Sequence, residues 1–162
     1  MSNFDLSELS FLIAEDNRFM LSLVRQQLRA FEAGNVFEAL DGGEAFEILC
    51  AKEIDIAIIE CAMSPVDGLS FVRHVRTSKQ SPNPELPILM MAANIDMEKL
   101  SAARDIGATE ILAKPVSAKL LYDRIQYALQ NGRQFVRSDT FVGPDRRRRH
   151  ETLAAGKERR QS

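Results

Sequence analysis

Apolar residues in this chain follow two alternating patterns. Five short runs read as buried strands: Ser10-Phe11-Leu12-Ile13-Ala14, Val36 to Leu40, Asp55-Ile56-Ala57-Ile58-Ile59-Glu60, Ile88 to Met91, and Glu110 to Ala113. Between them the apolar residues recur at helical spacing. Arg18 to Arg29 carries Met20, Leu21, Val24 and Leu28 on one stripe, and Gly42 to Lys52 carries Ala45, Ile48 and Leu49. Leu69, Val72 and Val75 mark a third helix. Asp96 reads as the N-cap of a fourth, which runs through Leu100 to Arg104 and ends at Gly107-Ala108. Ser117 caps a fifth, Lys119 to Leu129, closed by Asn131-Gly132.

Five strands alternating with five helices predict an α/β fold. Short loops and right-handed crossovers favour a flavodoxin-like, doubly wound parallel sheet of order 2-1-3-4-5. In that order the first and third strands are neighbours. Their C-terminal ends carry Glu15-Asp16 and Glu60, and Lys114 follows the fifth strand. The C-terminal edge of such a sheet is where ligands and chemistry sit. Three acids and a lysine are therefore expected to converge in one crevice, although any one of them alone reads as a solvated loop charge.

The chain has 162 residues, 45% hydrophobic and 27% charged, which suits one globular domain plus an extension. It has no run of 18 apolar residues and no signal-peptide pattern at its start, so a cytoplasmic protein is expected. Cys50 and Cys61 lack metal-ligand spacing and read as reduced thiols acting as small apolar residues. The net charge of −2 hides an asymmetry, since residues 131–162 hold nine Lys/Arg against four Asp/Glu while the remainder is acidic. The expected division is residues 1–130 as the domain and 131–162 as an arginine-rich extension. Rich in Arg, Gly, Ser and Thr and poor in periodicity, the extension is expected to be disordered unless it binds a ligand.

The acidic pair Glu15-Asp16, Asp55, Met63, Asp67-Gly68, Pro87-Ile88, Gly107-Ala108 and Lys114-Pro115 carry a resemblance. From about Leu9 to Leu129 the chain resembles a CheY-like receiver domain of two-component signalling. The resemblance implies a phosphoacceptor aspartate at the place of Glu60, an acid pair holding Mg²⁺, and a lysine that pairs with the phosphate. This sequence departs from that pattern. The acceptor is glutamate, one methylene longer and badly placed for in-line attack. Ala92 stands where the family has a phosphate-binding Thr or Ser, and Ile111 where it has a Tyr or Phe switch. The family's proline after the third strand is displaced to Pro65, behind Ser64. Glu60 then has two readings: its carboxylate imitates the phosphorylated state, or it fills space and balances the lysine charge. Glu15 and Asp16, with Glu60, leave three carboxylates for a divalent ion such as Mg²⁺.

The extension is patterned. Gly143-Pro144-Asp145-Arg146-Arg147 is echoed by Gly156-Lys157-Glu158-Arg159-Arg160, and Arg133 and Arg137 form an Arg-x-x-x-Arg pair. Arginine forks match phosphate oxygens, the guanine O6/N7 edge and purine faces, and a carboxylate accepts from guanine N1 and N2. A doubled acid-plus-arginine motif suits a ligand with two guanines and two phosphates, such as cyclic di-GMP. Phe141-Val142-Gly143-Pro144-Asp145-Arg146-Arg147 is similar to the arginine-rich extension of a CheY-like subfamily that binds cyclic di-GMP through it. That resemblance implies ligand contacts from Arg133, Arg137, Asp145, Arg146, Arg147, Arg148, Arg149, Glu158, Arg159 and Arg160. It also implies a protein partner such as the flagellar motor switch.

The expected function is thus a non-catalytic adaptor controlled by a nucleotide, with no membrane insertion. Two alternatives stay open: an orthodox response regulator controlled by phosphorylation, and a nucleic-acid-binding basic tail on a receiver scaffold. Binding of the latter kind would fall steeply with salt and show little base preference.

Overall fold

The computed structural model describes residues 5–130, 135–137 and 142–144. Five parallel strands, β1 (Ser10–Ala14), β2 (Asn35–Ala39), β3 (Ile56–Glu60), β4 (Ile88–Ala92) and β5 (Glu110–Ala113), form one sheet of order β2-β1-β3-β4-β5. The helices between and after them are α1 (Arg18–Ala30), α2 (Gly42–Ala51), α3 (Gly68–Thr77), α4 (Met97–Ile106) and α5 (Ala118–Gln130). This is the doubly wound, flavodoxin-like arrangement that the alternation predicts, with element ends shifted by one or two residues.

β3 and β4 are buried at every position, which is why they read as unbroken apolar runs. Alternate residues feed two cores. Ile56, Ile58, Leu89 and Met91 pack with Leu21, Val24 and Leu28 of α1 and with Leu121 and Ile125 of α5. Ala57, Ile59, Ile88 and Met90 pack with Ala45 and Leu49 of α2 and with Phe71, Val72 and Val75 of α3. Met20, Ile48 and Leu69 sit at the margins of their stripes and are only partly buried. Cys61 is buried as an apolar residue would be, whereas Cys50 faces solvent, because α2 turns that position away from the sheet.

Asparagine and aspartate side chains set the helix starts. Asn17, Asp41, Asp67 and Asp96 cap α1 to α4, and the Ser117 hydroxyl accepts the Leu120 N–H at 3.1 Å. Gly107 ends α4 at φ 108, a left-handed conformation in which a side chain would be strained. Gly68 lets α3 begin against the end of β3, since a Cβ there would meet the Glu60 carbonyl oxygen and come within 2.9 Å of Met90 Cε. Asp55 has a structural duty: its carboxylate accepts the Ser10 N–H at 2.8 Å and ties the start of β3 to β1.

The extension departs from expectation in one respect. Phe135–Arg137 (β6) pairs antiparallel with Val142–Pro144 (β7) in a separate two-stranded sheet. Aromatic and β-branched residues at Phe135, Val136 and Val142 were the available strand signal, overshadowed by the polar residues around them. The expected end of α5 at Asn131-Gly132 lies outside the described residues.

Arg76 is also unforeseen. It stands on the apolar side of α3, 1% exposed, and donates to the carbonyls of Gly107 at 3.0 Å and Pro84 at 2.8 Å. Burial pushes its guanidinium down to about 9, which leaves it charged at neutral pH. Replacement of Arg76 by Ala should destabilise the fold by about 2–4 kcal/mol, through a cavity and two carbonyls stripped of their donor. Urea unfolding measures this; a loss under 1 kcal/mol would mean that water replaces the guanidinium without penalty.

Candidate functional site

Three sheet strands deliver charge to one edge. Glu15 follows β1, Glu60 ends β3 and Lys114 follows β5. Their backbones are fixed by neighbouring strands: Glu15 N–H donates to Ala39 at 3.1 Å, and Lys114 N–H to Ala92 at 2.9 Å. The Lys114 ammonium lies between the two acids, 2.9 Å from Glu15 Oε1 and 2.6 Å from Glu60 Oε1. Each carboxylate gives its second oxygen to a backbone N–H two residues on, Asn17 at 3.1 Å for Glu15 and Ala62 at 3.0 Å for Glu60. Sequence reasoning brought the three side chains to one crevice but did not foresee these two amides.

Both acids are deeply buried, 1% exposed for Glu15 and 5% for Glu60. Burial holds the Glu15 carboxyl above the usual range, outweighing the lowering effect of its bond to Lys114. Burial also works against the Lys114 charge, but the bonds from Glu60 and Glu15 win and raise its pKa above the ordinary lysine value. Cys61, next to Glu60, has its thiol pushed up by burial and then by the carboxylates of Glu60 and Asp67. It is a poor nucleophile in this position.

Ala92, 1% exposed, and Ile111 pack in the core on the side of the sheet that α2 and α3 cover. Asp16, next to Glu15 in the chain, is exposed. Glu15 and Glu60 turn their oxygens onto Lys114 and two backbone amides. Among the described residues no three acids, histidines or cysteines gather where an ion could sit. Of the residues assigned to nucleotide binding, Arg137 lies in β6. Arg133, Asp145, Arg146, Arg147, Arg148, Arg149, Glu158, Arg159 and Arg160 lie outside the described residues.

Lys114→Met should cost about 3 kcal/mol, because it leaves two buried carboxylates without their cation. Glu60→Gln in the same background should recover part of that loss. For the parent protein the sign follows from the raised lysine pKa. The Lys114 contribution is complete below the unfolded value of 10.5 and is lost as pH rises through the higher folded value. Thermal unfolding of parent and variant from neutral pH to pH 11 checks this: the gap between their curves should stay constant up to about pH 10 and begin to shrink above 10.5.

Residues 11–126 match the response regulator receiver domain family. The chain is 29% identical over 134 residues to response regulator MprA of Mycobacterium sp. (strain KMS), covering 83% of this chain and 54% of that protein. It is 28% identical over 134 residues to a "Probable cyclic di-GMP phosphodiesterase" of Vibrio cholerae serotype O1, covering 82% of this chain and 29% of that protein. The chain thus spans about half the length of one of these curated relatives and under a third of the other. Among solved structures it is similar to the chemotaxis protein CheY4 of Vibrio cholerae, with 28% identity, a TM-score of 0.66, and 73% of this chain and 96% of that one covered. It is also similar to the signal receiver domain of a modulated diguanylate cyclase from Desulfovibrio desulfuricans G20, with 25% identity, a TM-score of 0.65, and 75% and 93% covered. No helix among the described residues is long and apolar enough to cross a membrane. Given the strand order, the crevice at the ends of β1, β3 and β5, and the family match from residue 11 to residue 126, the chain belongs to the response regulator receiver family, as a CheY-like receiver of two-component signalling.

Proposed function

We propose that this receiver works as a non-catalytic adaptor that is not switched by phosphorylation, and that it binds cyclic di-GMP through its arginine-rich extension. The observation that carries the first part is the closed triad of Glu15, Lys114 and Glu60. A phosphoryl group needs an acceptor oxygen free for in-line attack and a lysine free to meet the transferred charge. Here Glu60 Oε1 is held on Lys114 at 2.6 Å and Oε2 on the Ala62 N–H. Ala92 has no hydroxyl to bind a phosphate, and Ile111 has no ring to relay its arrival. Glu60 fills the acceptor position and balances the lysine.

The second part rests on the extension. Its acid-plus-arginine repeat offers planar forks for guanine edges and phosphates, and carboxylates for guanine donors. Receivers with similar sequences stand in proteins named for cyclic di-GMP chemistry, a phosphodiesterase and a diguanylate cyclase. The loaded extension, with the receiver body, would engage a protein partner such as the flagellar motor switch.

Four experiments test this reading. Incubation with labelled acetyl phosphate should leave the protein unlabelled, and stoichiometric label would restore the orthodox regulator. Calorimetric titration should show cyclic di-GMP preferred over cyclic di-AMP at moderate salt. Arg146 and Arg147 replaced together by Ala should abolish binding with the body still folded, and replacement by Lys should weaken it strongly, since lysine keeps charge but loses the fork. A double lysine variant that binds like the parent would reduce the contact to plain electrostatics. Glu60→Gln should change ligand affinity by less than tenfold, about 1.4 kcal/mol of coupling.

A further inference from the structure

α4 is held differently from the other helices. Ala103 is its one buried residue, whereas α1, α2 and α5 each bury three and α3 buries five. Leu100 and Ile106 are half-buried, and Met97 is 72% exposed. Packing of an apolar face is what fixes most helices in a protein, and α4 has little of it. At both of its ends cationic side chains close on backbone carbonyls. Before α4 the chain turns through Asn94, whose φ of 48 is left-handed and tolerable for asparagine. The Lys99 ammonium donates to the successive carbonyls of Ala93 and Asn94 at 3.2 Å each. Asp96 accepts the Lys99 N–H at 2.8 Å, so this residue is fixed at its backbone and at its tip. At the other end Arg76, reaching from α3, donates to Gly107 at 3.0 Å and to Pro84 at 2.8 Å. Gly107 is the C-cap of α4, and Pro84 stands in the loop before β4. One guanidinium thus ties α3 to the chain just before β4 and just after α4.

We infer that α4 with its two flanking turns is a locally opening unit of this receiver, and that Lys99 and Arg76 are the clamps that set its closed position. The reason lies in the kind of contact. An element held by deep apolar burial is released only when the core opens, whereas one with few buried apolar contacts opens by itself at lower cost. An exposed cation on a carbonyl exchanges that bond for water with small net loss, because both partners are solvated on release. Lys99 is exposed and is therefore the weaker clamp, while Arg76, within the core, is the stronger. Opening uncovers Ile95 and Ile106, which pack against the core in the closed form. It needs neither a phosphoryl group nor a nucleotide. Neither clamp bonds to Glu15, Glu60 or Lys114, so the device stands or falls independently of the function proposed above.

Native-state hydrogen exchange of the full chain at low denaturant tests this residue by residue. In the parent, the amides of Leu100 to Ile106 should exchange together at least ~tenfold faster than those of Leu21 to Leu28 and Leu121 to Ala128, with a weaker dependence on denaturant. Lys99→Met should quicken α4 by roughly fivefold and leave α1 and α5 unchanged, while Lys99→Arg, which keeps a donor, should stay at the parent rate. Arg76→Lys loses the planar fork and should quicken α4 by about tenfold beyond any change in global unfolding measured on the same sample. Parent α4 amides that exchange at the α1 and α5 rates, with the same denaturant dependence, would overturn the opening unit. A separately opening α4 that neither Lys99→Met nor Arg76→Lys moves would overturn the clamps. Should Arg76→Lys fail to fold, the two Lys99 variants decide: a Lys99→Met rate equal to the parent's overturns the clamp reading.

Discussion

Two buried carboxylates share one ammonium at the C-terminal edge of the sheet, where β1, β3 and β5 end. Glu15 and Glu60 are carried to the interior by strands that the core needs for other reasons. An uncompensated charge at such depth is costly, so Lys114 is required for the fold before it is available for any signal. The fixed amides of Asn17 and Ala62 complete the coordination of the acids. A receiver crevice built in this way is satisfied by itself.

The ion triad and the β6–β7 hairpin meet different elements of the body. The triad sits at the ends of β1, β3 and β5, whereas β7 meets the body at α3. Ala92 and Ile111 pack in the core on the side of the sheet that α2 and α3 cover. α3 is fixed at both ends. Asp67 caps it, Gly68 seats it on the end of β3, and Arg76 pins its last turn to the Gly107 and Pro84 carbonyls.

Much of this was legible in the chain, and the reasons are local. Buried parallel strands must be apolar along their length, so β1, β3 and β4 announce themselves, and the alternation with helical stripes leaves one plausible sheet order. Carboxylates and a lysine at strand ends follow from that order, so Glu15, Glu60 and Lys114 could be assigned to one crevice without coordinates. Other features carried no local signal. Arg76 looks like any helix-surface arginine until Gly107 and Pro84, distant in sequence, supply its acceptors. The β6–β7 pairing was hidden because six short positions in a polar, basic stretch cannot outweigh their surroundings in any window.

What the sequence determined by itself was the fold class, the strand order, two of the helix caps, Asp96 and Ser117, and the convergence of Glu15, Glu60 and Lys114 at one sheet edge. Each depends on a residue type or a spacing, and both survive without knowledge of neighbours. Tertiary structure alone decided how the charges are used. It closed Lys114 onto both acids rather than leaving it open, left Asp16 exposed beside the buried Glu15, and set β7 on α3. These are matters of distance and burial between segments far apart in the chain, and such distances exist only once the sheet has assembled.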